Sequence, residues 1–417
     1  MLRSRSPVLA IRDFRALLLT RLFSTMSLQI QAVIVGWHIY QLRPNPLLLG
    51  LIGLVEAVPA ITSSFISGHI VDHHRPAKIL RLSLGAMVLN ALLLFAAVAA
   101  GDWLSVEERL FILYFCVFIS GVTRSFNSPS VFAIIPQVVP RNLLGASAAW
   151  NSSTFQFAAI LGPAVGGLVF GAFGALVAFA LPLAFQIAAW FALQGLSPEA
   201  RALRRNGASE PFLRSVAAGV RFAFGHKVLL SAMTLDMFSV LFGGAVAVLP
   251  IFADQVFKTG SMGLGFLRAA PSVGSVLVAS YLALKPMRVI SGRTLLVVVA
   301  GFGLSTVAFS LTTNFYLALL FLAALGAFDG VSMVIRSTIL QLLTPENMRG
   351  RVSALSSIFI TSSNEIGAFE SGLAARFMGL VPSVIFGGVM TLVVVALTAW
   401  LAPELEQTRI SQDHKPS

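Results

Sequence analysis

Long apolar runs alternate with short polar breaks from one end of the chain to the other. The runs are rich in Leu, Ala, Val, Phe and Gly and lack the period-two alternation of a barrel strand. Each is near the roughly twenty residues a helix needs to cross the hydrocarbon layer. Only helices and closed barrels satisfy the backbone at that depth. The pattern predicts an all-α polytopic membrane protein with twelve transmembrane helices, over 16–40, 47–71, 79–100, 110–132, 146–170, 175–196, 227–252, 263–284, 294–312, 315–341, 352–378 and 382–401. The first run is too long for a cleavable signal peptide and lacks a small-residue cleavage site.

The longest polar break, 197–226, holds Pro198, Gly207 and Pro211. It predicts two six-helix halves, 1–196 and 227–417, joined by a cytoplasmic linker in which 212–224 has the pattern of an amphipathic surface helix. The halves repeat each other weakly. A shift of 205 residues lays Pro140, Asn142 and Gly145 on Pro345, Asn347 and Gly350. The same shift lays Gly121, Gly162, Gly167 and Gly174 on Gly326, Gly367, Gly372 and Gly379. Slightly different shifts bring Leu22-Phe23-Ser24 onto Met237-Phe238-Ser239, and Gly53 and Pro59 onto Gly265 and Pro271. Under these alignments Arg21 falls on Asp236, Glu56 on Arg268 and Arg124 on Asp329, each pair of opposite sign. Two readings stand: coincidence among a dozen charges, or equivalent helices that face one another across a central cavity and neutralise each other.

Composition removes the soluble alternatives, since 57% of residues are hydrophobic and 11% charged. The formal net charge of +12 does not point to nucleic acid, because no basic cluster sits on a soluble domain. With the amino terminus inside, cytoplasmic segments take cations such as Arg12, Arg15, Arg75, Lys78, Arg81, Arg204, Arg205, Arg349 and Arg351, whereas outer segments take Arg43, Arg109 and Lys258. By the positive-inside rule both termini are then cytoplasmic. The lone cysteine, Cys116, excludes an intrachain disulfide and a thiolate metal cluster. No Walker A loop, GxSxG elbow or HExxH is present, so no enzyme and no cofactor is expected. His69, Asp72, His73 and His74 read as a solvated turn rather than a metal site.

Ionisable residues at membrane depth are costly and face a cavity or a partner. Those deep in the runs are Glu56, Arg124, Asp236, Arg268, Asp329, Arg336, Glu365 and Glu370; Arg21 lies one turn into the first run and Arg376 near the outer end of the eleventh. A static ion pair competes with a transport role at each. Asp329 and Arg336 stand seven apart, about two turns along one helix face. A proton carrier must gain and lose its proton as access alternates, and an arginine that moves beside a carboxylate switches its proton affinity. Asp236 and Asp329 are the first candidates for that role, followed by Glu56, Glu365 and Glu370. Arg21, Arg124, Arg268 and Arg336 are candidate cavity cations. Cavity walls are expected to draw on the 33 Phe and 11 Met, which re-pack around varied apolar ligands.

Local motifs narrow the family. After the second run comes Gly68-His69-Ile70-Val71-Asp72-His73-His74-Arg75-Pro76-Ala77-Lys78, and the fifth carries Gly162-Pro163-Ala164-Val165-Gly166-Gly167. Asp13-Phe14-Arg15 precedes the first run, and Pro129 and Pro136 are expected to bound the fourth. Thr344-Pro345-Glu346-Asn347-Met348-Arg349-Gly350-Arg351-Val352 precedes the eleventh. Over essentially its whole length the chain resembles the major facilitator superfamily, in its enterobactin-exporter and macrolide-efflux branch. The resemblance implies a cytoplasmic gate at Gly68, Asp72, Arg75 and Lys78, although His73 and Arg75 stand where the family usually has Arg and Gly. It implies an antiporter motif at Gly162, Pro163, Gly166 and Gly167, where proline removes a backbone bond and glycines let a neighbour close in. It places runs one, four, seven and ten around the cavity. It implies proton-driven export of an amphipathic small molecule by a monomer in a bacterial inner membrane. Lipid or metal-ion transport on the same scaffold, and a non-transporting receptor or assembly partner, are the alternatives.

Overall fold

The computed structural model describes residues 7–202, 212–285, 287 and 289–411. Long helices dominate: α1 Arg12–Leu42, α2 Pro46–His73, α3 Pro76–Ala99, α4 Val106–Val138 and α5 Leu144–Leu193. The short α6 (Pro198–Ala202) and the amphipathic α7 (Phe212–Gly225) follow, and α7 occupies the stretch where a surface helix was expected. The second half continues with α8 Lys227–Gly243, α9 Leu249–Ile251, α10 Gly260–Leu284, α11 Gly292–Leu311, α12 Phe315–Leu343, α13 Glu346–Met378, α14 Leu380–Leu401 and α15 Pro403–Gln407. Two three-residue strands, β1 Val289–Ser291 and β2 Arg409–Ser411, pair antiparallel with Ile290 opposite Ile410.

Among the described residues, ten helical segments are long and apolar enough to cross a membrane. Arg141–Leu193 is one segment of 53 residues holding two crossings, divided at Gly174, whose φ of 80° and ψ of 178° are not helical. α13 has the length but falls outside the set, because serines, Asn364, Glu365 and Glu370 dilute its apolar residues. With both counted there are twelve crossings, the fold expected from the sequence.

The chain forms two compact units. Unit one comprises the chain up to Pro44, Val55–Phe212 and Gly260–Gly265; unit two comprises Asn45–Leu54, Leu213–Thr259 and the chain from Phe266 onward. Association of helices in lipid rests on close packing rather than on the hydrophobic effect, and glycines supply it. In unit one a Cβ on Gly167 would lie 2.8 Å from the Gly265 Cα. In unit two a Cβ on Gly372 would lie 2.6 Å from the Gly50 Cα. Gly167 and Gly372 are corresponding positions in the internal repeat.

The backbone carries the repeat further than the sequence. Pro140 has φ −55° and ψ 145°, and Pro345 has φ −56° and ψ 149°, each just ahead of a helical stretch. Gly174 (φ 80°, ψ 178°) and Gly379 (φ 90°, ψ 165°) break the chain between the last two crossings of their halves, in a region open essentially to glycine alone. Gly121 packs on Glu56 and Pro59, and Gly326 packs on Pro271.

Two expectations change. α4 runs through Pro129 and Pro136 to Val138 instead of ending there; a membrane helix tolerates a proline where its neighbours re-satisfy the freed groups. The seventh crossing is not continuous. After Gly243 it breaks at Gly244 (φ −80°, ψ 89°), passes through a 3-10 turn over Ala245–Val248, and closes in a π turn over Phe252–Val256. Residues 203–211 of the expected linker lie outside the described residues.

Candidate functional site

Polar groups inside each unit meet by helix packing. In unit one, Gln31 of α1 and Asn90 of α3 both donate to the Ser120 Oγ of α4, at 2.9 and 3.0 Å. Nearby, the Arg124 Nη1 of α4 reaches the Glu56 Oε1 of α2 at 2.6 Å. This pair is partly open, with side-chain exposures of 43% and 22%. The Arg21 Nε is buried with no hydrogen-bond acceptor among the described residues.

Unit two gathers three charges. Asp329 is the middle residue of α12, and Arg336 lies two turns further on the same face. The guanidinium of Arg336 is engaged on all three nitrogens: Nε donates to Ser332 Oγ at 3.1 Å, Nη1 forms a close ion pair with the Asp236 carboxylate of α8, and Nη2 lies 3.8 Å from Asp329 Oδ1. Asp236 and Arg336 are 8% and 12% exposed, and Asp329 is the open member at 38%. The group holds two carboxylates and one guanidinium.

The ion pairs therefore differ from the cross-cavity expectation. Glu56 takes Arg124 and Asp236 takes Arg336, each within its own unit. The reason is proximity: α8 and α12 pack together, as do α2 and α4, so a partner lies within one side chain's reach.

The other expected residues lie as follows. Glu365 and Glu370 are half-buried on α13, with the Glu365 carbonyl against Gly53 in unit two. Arg268 is half-buried on α10. Gly68 lies on α2, Arg75 is the residue preceding α3 and Lys78 is in its first turn; the side chain of Asp72 lies outside the described residues. Gly162, Pro163, Gly166 and Gly167 sit within α5, where the non-helical torsions fall at Gly174 instead. Gly162 packs on Gln29, and Gly166 on Ile30. Their use in this conformation is close packing.

Sequence reading missed the break in the seventh crossing. Ser371, next to Glu370, donates from its Oγ to the Gly244 carbonyl at 2.6 Å, satisfying a group that the interrupted helix releases. Broken helices at membrane depth mark binding sites in many transporters. Adjacent Gly243 and Gly244, with Pro250 beyond, were the available signal.

Comparisons with known proteins agree with this architecture. The family model described as transmembrane secretion effector, of the major facilitator type, matches residues 4–417. The chain is 24% identical over 406 residues to the enterobactin exporter EntS of Shigella boydii, covering 95% of this chain and 93% of the relative. The same figures hold for EntS of Escherichia coli. Among solved structures it is similar to a bacterial homolog of the human lysosomal transporter Spinster, inward-facing and unoccupied, with TM-score 0.74, 14% identity and coverage of 95% and 98% of the two chains. It is also similar to a bacterial homologue of the iron transporter ferroportin, inward-facing, with TM-score 0.70, 16% identity and coverage of 95% and 99%. A D-xylose-proton symporter gives TM-score 0.71 at 15% identity, with coverage of 95% and 99%.

Proposed function

Because the chain belongs to the transmembrane secretion effector family of the major facilitator superfamily, we propose that it exports a siderophore-like amphiphile in exchange for protons by alternating access. The protein is a multi-pass membrane transporter and not an enzyme. Relatives that cover most of its length include enterobactin exporters, which supports outward movement of a siderophore-like amphiphile.

Proton coupling rests on the charge count around Arg336. With Asp236 and Asp329 both ionised, the set carries one uncompensated negative charge at membrane depth, which is costly. With one proton bound it is neutral. Asp329, the open carboxylate, is the proposed site of proton entry, and Asp236 holds the arginine. Movement of α8 against α12 would hand Arg336 from one carboxylate to the other. A proton crossing the full field gains about 2.3 kcal/mol per 100 mV, enough for roughly a fifty-fold gradient of a neutral substrate.

In this reading 1–196 and 227–417 are the rocking halves and 197–226 the linker, both termini face the cytoplasm, and the protein works as a monomer in the inner membrane. Gly68, Asp72, Arg75 and Lys78 form the inner gate. Glu365 and Glu370 serve beside the Gly244 break. Arg21 and Arg268 are cavity cations.

The test is reconstitution into vesicles with an imposed pH gradient and a panel of siderophore-like amphiphiles. Asp329→Asn is expected to abolish pH-driven efflux while the protein keeps its parent melting temperature. Undiminished efflux in that variant would remove Asp329 from the coupling mechanism.

A further inference from the structure

Within unit one, the amino end of α3 and the chain that leaves α5 line an open cavity of about 200 Å³, with its charged side chains exposed. Four cations line it: Arg75, Lys78, Arg81 and Arg201, with Leu193 and Leu196 as apolar wall. Arg75, Lys78 and Arg81 recur every third residue, so they stand on one face at the start of α3. Arg201 is held in place by donating to the Gln194 carbonyl. No carboxylate is among the described lining residues. Among the acids nearby whose side chains are described, Asp13 is engaged elsewhere: its two oxygens accept from the Ser197 N–H and Oγ, each at 2.8 Å. Glu199 is exposed on α6. Four like charges around one cavity, at the positive end of a helix dipole, are stabilised when an anion sits among them.

We infer that this cavity binds a phosphate group, and that a phospholipid headgroup supplies it. The helix face argues for the lipid. Leu82 and Leu89 continue the stripe begun by Lys78 at helical spacing, and both are largely exposed apolar side chains. A phosphate seated among the cations would leave its acyl chains lying along that stripe. Basic pockets at the cytoplasmic ends of membrane helices favour anionic headgroups on the same physical grounds. The inference is independent of what the protein transports; the proposed orientation decides only which leaflet supplies the lipid.

Native mass spectrometry of the full-length protein in neutral detergent tests it, with dioleoyl phosphatidylglycerol, dioleoyl phosphatidylcholine and inorganic phosphate as separate probes. Phosphatidylglycerol is expected to be retained in preference to phosphatidylcholine. The double variant Arg81→Gln with Arg201→Gln is expected to lose about thirty-fold in phosphatidylglycerol affinity, as two surface cations contribute. Arg376→Gln, an exposed cation far along α13, should leave that affinity unchanged. Retention of inorganic phosphate with the same loss in the double variant would keep the phosphate site and assign its source to solution. Equal retention of the two lipids with no phosphate bound, or an unchanged affinity in the folded double variant, would overturn the inference. If the double variant does not fold, Lys78→Gln alone decides by the same criterion.

Discussion

In unit one, one carboxylate on α2 meets one guanidinium on α4; in unit two, carboxylates on α8 and α12 share a single guanidinium. The first balances one acid with one base, whereas the second holds one carboxylate more than it has guanidinium groups. The internal repeat shows how the difference arises. The positions of Glu56 and Arg124 correspond to those of Arg268 and Asp329, so both signs invert together. The inversion does not carry the pairing with it, since Asp329 meets Arg336 of its own helix. The second half then carries Arg336, where the corresponding residue of the first half is the buried Val131. Comparable frames thus hold a charge-balanced pair and a triad with one carboxylate in excess, and it is that excess on which the proposed proton coupling rests.

The sharpest way to break this comparison is to remove the arginine from each. Arg336→Gln leaves the buried Asp236 and the more open Asp329 without their shared counter-charge, and loss of one partner from a buried ionic group costs about 3–5 kcal/mol. Arg124→Gln removes a pair that is open to its surroundings, where the loss is about 1 kcal/mol or less. Thermal unfolding in one detergent should rank them in that order, with pH-driven efflux lost only in the first. Equal melting points would mean that the two sites are energetically alike and that the triad has no special standing.

A smaller effect is expected from exchanging the signs in unit one. Glu56→Arg alone sets two cations against each other. Adding Arg124→Glu restores an opposite pair in the order the second half uses. The double variant should regain most of the stability lost by the single one, to within about 1 kcal/mol of the parent, and should still transport. If the double variant is no better than the single one, the pair depends on geometry that the repeat does not share.

Much of this was legible beforehand, and the limits have physical causes. Apolar run length gives the crossings, because a bilayer demands it. Gly174 and Gly379 were visible as a repeat, and their torsions explain it, since both occupy backbone space that side chains avoid. Asp329 and Arg336 could be placed on one face by spacing alone. The partner of Asp236 could not be, because helix spacing fixes faces but not which neighbouring helix a face meets. The break at Gly244 was hidden for a related reason. Glycines abound in membrane helices as packing residues, and one that unwinds a helix looks the same in sequence until an acceptor such as its carbonyl is seen bound to Ser371.

The units also differ in how each ties its first crossing to the segment after its last, and this gives the smallest expected effect. Unit one uses hydrogen bonds from Ser197 to the partly buried Asp13. Unit two uses an exposed ion pair, Lys227 Nζ to Glu404 Oε1 at 2.7 Å, beside the β1–β2 ribbon. The hydrogen bond from Lys227, followed by one from its own backbone, holds the Glu404 carboxyl below the usual glutamate range. A depressed carboxylate contributes its full stabilisation above its unfolded value, near 4.3, and loses it only as pH falls through the lower folded value. Amide exchange over 409–411, corrected for intrinsic rate, should therefore keep constant protection from pH 8 to pH 5 and lose it only in more acid solution. High salt should weaken this protection by screening the exposed pair while leaving the Asp13–Ser197 bonds in place, and Glu404→Gln should mimic the acid state at neutral pH. Release of the ribbon between pH 7 and pH 6 would show that a group other than Glu404 holds the tail.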